Sequence, residues 1–232
     1  MAGVHSRLHG SGSMSTIALH VAGTGEELVF APARLVVAGY TGSDEAAVEE
    51  HIAELAAIGV PRPETVPAFY HLDTGLLTTE PVVGVSAPGT SGEVEPVLIR
   101  HQGRYFLGVG SDHTDRDLER DGVARSKAAC PKPLGEVVAA LGTEVSIPDW
   151  DHVVADSSVD GCPYQKGELA ALRHPADLLD RLGPVDGDFA LYCGTLPLLG
   201  GEFAYGAYWR IHLELPGGPT LTHAYETKQR SE

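Results

Sequence analysis

The sequence is poor in basic residues. Only 16 lysines and arginines stand against 32 aspartates and glutamates in 232 residues, a formal net charge of −16 at pH 7. Binding nucleic acid requires a basic stripe that neutralises phosphates, so that class of partner is excluded. Cysteine is scarce as well: Cys130, Cys162 and Cys193 are odd in number, far apart, and include no CxxC pair. They read as reduced thiols of an intracellular protein, neither a disulfide framework nor a zinc site. No apolar run reaches the roughly 18 residues of a membrane span, and no charged, apolar and small-residue leader opens the chain. The expectation is a cytoplasmic protein with no membrane partner. An acidic chain can, however, hold a cation among its carboxylates.

What is present is enough for one globular domain, since a chain of this length buries roughly 70% of the surface it would expose unfolded. Residues 1–15, which open MAGVHSRLHGSGS, are polar and without periodicity, and are read as a disordered leader outside a single catalytic domain over 16–232. Residues 16–39 are strand-like. Then Val48, Ile52, Leu55 and Ile58 recur at helical spacing, with Thr41, Ser43 and Asp44 as cap oxygens and Gly59 and Pro61 as a stop. Residues 61–92 read as loops around short strands such as PVVGVS. EVEPVLIRHQGRYFLGVG reads as a hairpin turning at His101-Gln102-Gly103. LGEVVAALG is expected to be a turn or helix, HVVADSSV a strand, GELAALRHPADLLDRLG helical, and FALYCGT, YWRIHLEL and TLTHAYE three closing strands. Strands outnumber helices and no βαβ alternation is sustained, which gives an α+β class.

Glu93 and Glu95 lie two apart, so on a strand both point to one face with Cα atoms roughly 6.6 Å apart. The hairpin register brings Gly108 to Gly110 opposite them, and Asp112 emerges at the same end as Glu93. Three hard oxygen donors suit Mg²⁺ or Mn²⁺. Spacing alone reads equally as the solvated face of an amphipathic strand. His51, three residues after Val48 and four before Leu55, is expected on or at the edge of the apolar stripe, with Glu54 beside it at i+3. A histidine paired to a carboxylate suits proton transfer; a hydrogen-bonded histidine at the core edge is the plainer reading.

In order along the chain, SGEVE, GVGSDHTDRDLE, RSKAACPKPLG and GDFALYCGTLPLLGG resemble four landmarks of the fumarylacetoacetate hydrolase superfamily. These are its E-x-E strand, its aspartate-arginine run, its lysine segment and its closing GT segment. GYTGSDEAAVEEHIAELAAIGVPRPETVPAFY is similar to its N-Y-x-x-H-x-x-E segment with the proline-rich stretch after it. The resemblance covers residues 35–201 and is nearest to a compact bacterial subgroup. It implies a mixed β-sandwich or roll with a few short helices, and a homodimer. It further implies that Glu93, Glu95 and Asp112 bind a divalent metal, usually Mg²⁺ with Mn²⁺ or Ca²⁺ as substitutes. His51 and Glu54 match the family's proton-transfer pair and Lys127 its catalytic lysine. Arg116, Glu119, Thr195 and Tyr70 match substrate-binding positions. The implied activity is hydrolysis of a C–C bond beside a carbonyl in a small 1,3-dicarbonyl or 2-oxo acid, by way of an enolate. The alternatives are a decarboxylase or isomerase and a non-catalytic metal-binding relative.

Three departures bear on substrate. The step from Glu95 to Asp112 is short for the family, Glu119 stands where glutamine is common, and His71 or Leu72 stands where a lysine often follows the aromatic pair. Added negative charge and a lost cation both argue against a polyanionic substrate. Cys193 reads as a small buried hydrophobe and His113 as a structural group pointing away from Asp112. Around Tyr164, Gln165 and Lys166, pocket lining and plain packing read alike.

Overall fold

A computed structural model describes residues 16–57 and 59–230. The leader expected over 1–15 and the helical position Ile58 lie outside the described residues.

The hairpin is the centre of the architecture. Strand Val94–His101 runs antiparallel to Arg104–Ser111 with Glu95 opposite Gly110 and His101 opposite Arg104. The turn is therefore tighter than expected from sequence: only Gln102 (φ +50) and Gly103 (φ +79) lie outside the ladder. Two successive positive φ values are what a two-residue turn of matching twist requires. Around the hairpin an eight-stranded sheet runs Glu27–Phe30, Ile17–Val21, Val137–Gly142, Arg104–Ser111, Val94–His101, Phe189–Tyr192, Arg34–Gly39, Ala68–Leu72 in spatial order. A five-stranded sheet runs Cys162–Glu168, Val154–Val159, Tyr208–Glu214, Thr220–Gln229, Val82–Val85. Two short pairs join Thr114–Asp115 to Thr90–Ser91 and Lys132–Pro133 to Leu77–Thr78.

Side-chain alternation decides the layers. Val97, Ile99 and Phe106 point into one cluster with Leu19, Phe30, Leu35 and Tyr192, enclosed by one face of the large sheet. Val94, Leu107 and Val109 point the other way, onto Ile211, Leu213 and Leu221 of the five-stranded sheet. Leu98 and Leu191 meet Leu178 of the helix Pro175–Leu182. Each fully buried aliphatic side chain contributes about 1.5–3 kcal/mol relative to exposure, so these contacts hold the layers together. The fold class is as expected, mixed sheets with few helices.

The N-terminal helix, Glu45–Ala57, starts where Asp44 accepts hydrogen bonds from the Ala46 and Ala47 amides at 2.9 and 3.2 Å, and Gly59 follows its end at φ +96. Two readings need correction. LGEVVAALG contains the strand Val137–Gly142, where a short apolar run carries no period that separates strand from helix. The text before the C-terminal helix holds the strand Cys162–Glu168, masked by Pro163 and Gly167. It is the edge of its sheet, where proline is tolerated.

Candidate active site

Five neighbouring strands bring their same ends together. Because each is antiparallel or parallel to the next in the right alternation, that edge carries Asp112, then Glu93 and Glu95, then Gly194 and Thr195, then Tyr40 and Thr41, then Phe69 and Tyr70. Asp112 and Glu93 are held opposite each other by the Asp112 amide, which donates to the Glu93 carbonyl at 3.0 Å. Residues scattered over more than 150 positions become neighbours through register alone.

Glu95 is 2% exposed and accepts the Gly194 amide at 2.8 Å. Burial, then the charge of Asp112, pushes its carboxyl well above the usual range, with Glu93 adding to the effect. Asp112 is fully buried, yet the Lys127 and Lys132 ammonium groups outweigh the burial penalty and hold its carboxyl below the usual range. Lys127 donates to Asp112 Oδ2, and Lys132 Nζ lies 3.2 Å from Oδ1. The Lys132 contact is an ion pair without hydrogen-bond geometry, which leaves Oδ1 buried and without a donor. Glu93 accepts from Arg116 at 2.8 Å.

Arg116 is 6% exposed, and each of its nitrogens donates once: Nε to Ser91 Oγ at 2.6 Å, one terminal nitrogen to Glu119 at 2.6 Å, the other to Glu93. Phe203 covers one face of the guanidinium at 3.9 Å. Lys127 Nζ lies 5.8 Å from the centre of the Tyr70 ring. Burial, then neighbouring Tyr40, pushes the Tyr70 hydroxyl up to about 12. Thr195 donates to the Val94 carbonyl at 3.0 Å and accepts from Gln165 at 2.7 Å.

Glu93, Glu95, Asp112, Lys127, Arg116, Glu119 and Tyr70 thus meet in one cluster, with Thr195 bound to the backbone beside it. His51 and Glu54 do not join them. His51 Nδ1 lies 3.7 Å from Glu54, and the two side chains are 61% and 71% exposed. The expectation that His51 sits on the apolar stripe is corrected. Ile52 takes the buried position, and a residue one step away on a helix is turned about 100° from it. The helix is nonetheless tied to the cluster, because Thr41, just ahead of it, abuts Gly194.

Sequence reasoning missed two residues, Lys132 and Tyr40, and left a third, Gln165, open between pocket lining and packing. Lys132 is wholly buried, and its ammonium donates to the carbonyls of His113, Lys127 and Cys130 at 2.6, 2.5 and 3.2 Å. A lysine inside the apolar run CPKPLG was the available signal. Tyr40 stands beside Tyr70 and Lys127 with φ +58, a strained conformation for a bulky residue and one that gathers at functional sites. Gln165 is buried and uses all its hydrogen-bonding capacity, accepting from the Val94 amide and Ser157 and donating to Thr195 and the Leu196 carbonyl. It fixes the strand that carries Glu95. His113 bonds to Tyr225 and Thr90 behind the cluster, and burial holds its ring down to about 3. The Cys193 thiol, buried and bonded to the Leu191 carbonyl, is pushed up by desolvation.

Among the described residues, no group of three or more carboxylate, histidine or cysteine side chains is placed to hold a metal ion. Lys127 covers Asp112 and Arg116 covers Glu93, so the negative charge is met by protein cations. The donors themselves suit a hard divalent ion: three carboxylates, of which Glu95 is raised by burial and then by its neighbours' charge, and a buried Asp112 oxygen with no donor.

The family described as "Protein of unknown function (DUF2848)" matches residues 38–225. No curated protein matches the chain. Solved structures share the fold. Fumarylpyruvate hydrolase from Pseudomonas aeruginosa in complex with Mn²⁺ and pyruvate is similar with a TM-score of 0.60 at 16% identity, covering 93% of this chain and 97% of that one. A candidate fumarylpyruvate hydrolase from Burkholderia cenocepacia has a TM-score of 0.65 at 17% identity, covering 98% and 99%. For 5-carboxymethyl-2-hydroxymuconate delta-isomerase from Mycobacterium smegmatis the TM-score is 0.57 at 16% identity, covering 90% and 87%.

Proposed function

The chain belongs to the DUF2848 family and has the fumarylacetoacetate hydrolase fold, and from that premise we propose that it is a divalent-metal-dependent enzyme acting on a small carbonyl acid or diketone. The observation that carries this reading is the set of three buried or nearly buried carboxylates, Glu93, Glu95 and Asp112, at one sheet edge beside Lys127. A divalent ion, Mg²⁺ or the Mn²⁺ of the Pseudomonas neighbour, when held by those residues supplies Lewis acidity that polarises a carbonyl group.

The chain's own residues do the rest. Lys127 offsets negative charge that develops on the substrate oxygen, in a place where burial strengthens its field. Tyr70 and Tyr40 keep their protons across the physiological range and so act as donors there. Gln165 and Thr195 hold the Glu95 strand against the Gly194 segment. For His51 the proton-transfer role rests on the family resemblance alone: its ring lies 3.7 Å from Glu54 in solvent, on the helix that follows Tyr40 and Thr41 of the site. C–C hydrolysis is the preferred reaction; decarboxylation and isomerisation use the same polarised carbonyl.

The test is product analysis of purified protein with Mg²⁺ or Mn²⁺ on acetylpyruvate, oxaloacetate and acetylacetone. Two carboxylic-acid or ketone fragments from a dicarbonyl identify hydrolysis, and carbon dioxide release identifies decarboxylation. No turnover of any of the three with either ion contradicts the proposal.

A further inference from the structure

We propose that the site is selective for a substrate with a single carboxylate and an uncharged tail, and that it discriminates against dicarboxylates. This inference rests on the metal-dependent reading of the same cluster and goes on to name the substrate class.

The cations of the cluster decide it. Three lie in the cluster among the described residues, and they differ in what they can offer a ligand. Lys132 has no exposed surface, and its ammonium is spent on three backbone carbonyls and Asp112. Arg116 matches a substrate-binding position by resemblance, yet each of its three nitrogens donates to a protein oxygen and Phe203 stacks on its face. Turning this fork to a ligand carboxylate would take it from Glu119, whose carboxylate it holds at 2.6 Å. Lys127, whose ammonium also donates to Asp112, keeps the most exposed side-chain surface of the three, 11% against 6% for Arg116 and none for Lys132, next to Tyr70. It is a single anchor for a single anionic group. The segment after the aromatic pair, His71 and Leu72, adds neither lysine nor arginine.

The charge balance leads to the same conclusion. Glu93, Glu95, Asp112 and Glu119 put four carboxylates against those three cations, which leaves one net negative charge once Glu95 is ionised, as holding a metal ion requires. A divalent ion turns this into one net positive charge, which one substrate carboxylate neutralises. A second carboxylate would bring an uncompensated charge against Glu119 and the uncharged rings of Tyr70 and Phe203 beside the cations. Glu119 is therefore a specificity residue: it holds Arg116 and repels a second anionic end.

Two ligands with the same five-carbon chain separate the cases. 2-Oxopentanoate and 2-oxoglutarate share the 2-oxo acid end and differ by one terminal carboxylate. Calorimetric titration of the Mn²⁺-loaded protein should show 2-oxopentanoate binding at least about tenfold more tightly, the factor that corresponds to 1.4 kcal/mol. In Glu119→Gln the ratio should shift toward the diacid by at least about threefold, with Mn²⁺ affinity measured alongside. Equal or tighter binding of 2-oxoglutarate by the parent overturns the inference, as does an unchanged ratio in Glu119→Gln. If Mn²⁺ binds and neither acid does, single-anion selectivity is again refuted. If Mn²⁺ itself does not bind, it is the metal-dependent reading that fails.

Discussion

Replacing Gly194 by alanine probes the join between the sheet edge and the carboxylates. Gly194 has φ +101, and its amide donates to Glu95 at 2.8 Å. A Cβ at this position would lie 1.7 Å from Thr41 Oγ1, 2.8 Å from its Cβ and 3.2 Å from its Cγ2. Placing a Cβ in left-handed backbone costs roughly 1–2 kcal/mol, and relieving an overlap of this depth by moving packed chain costs roughly 1–3 kcal/mol. The expected loss is about 2–5 kcal/mol, read by urea unfolding. Thr41→Gly removes every side-chain atom in the overlap. In a double-mutant cycle, Gly194→Ala combined with Thr41→Gly should recover the steric part and leave about 1–2 kcal/mol of backbone strain. Stability of Gly194→Ala within about 0.5 kcal/mol of the parent, or a cycle with no coupling, would refute the close approach on which the site geometry depends.

Lys132→Met removes a buried ammonium that serves Asp112 and three carbonyls, and should destabilise the protein by about 3–5 kcal/mol in urea titration; a loss under about 1 kcal/mol would mean that the lysine is not part of the framework. If His51 transfers a proton, His51→Gln should lower kcat by about 100-fold or more with KM little changed, and an unchanged kcat removes His51 from the mechanism. Burial holds His223 below its ordinary value, and its Nε2 has no partner. The unfolded chain takes up this proton near pH 6.5 and the native one only at lower pH. Its contribution to stability is therefore complete above about pH 6.5 and declines as pH falls. Unfolding free energies at pH 7.5 and 5.5 should differ less in His223→Gln than in the parent; an equal difference contradicts that assignment.

Local signals carried the elements whose period or punctuation is unambiguous. Asp44 announces the N-terminal helix, and Gln102-Gly103 sets the hairpin whose register places Asp112 opposite Glu93. The burial of Glu95 was not legible in that way, because alternation along a strand assigns it to a solvated face as readily as to an enclosed one. What buries it is the arrival of Gly194 and Tyr192 from a strand nearly a hundred residues away. Tyr40 and Lys132 escaped, and Gln165 stayed undecided, for the same reason: each gains its role from partners that the chain brings up from outside its own element. His51 shows the converse error. Helical spacing placed it near the apolar stripe, but a helix anchored by Ile52 leaves the neighbouring position in solvent.

The central claim is that Glu93, Glu95 and Asp112 hold a divalent ion. Titration calorimetry of Mg²⁺ and Mn²⁺ into protein stripped of metal by a chelator tests it most directly. One site per chain is expected in the parent, with affinity reduced at least about tenfold in Glu93→Ala and Glu95→Gln, each checked for retained fold. Absence of binding in the parent, or equal affinity in Glu93→Ala, would contradict the account.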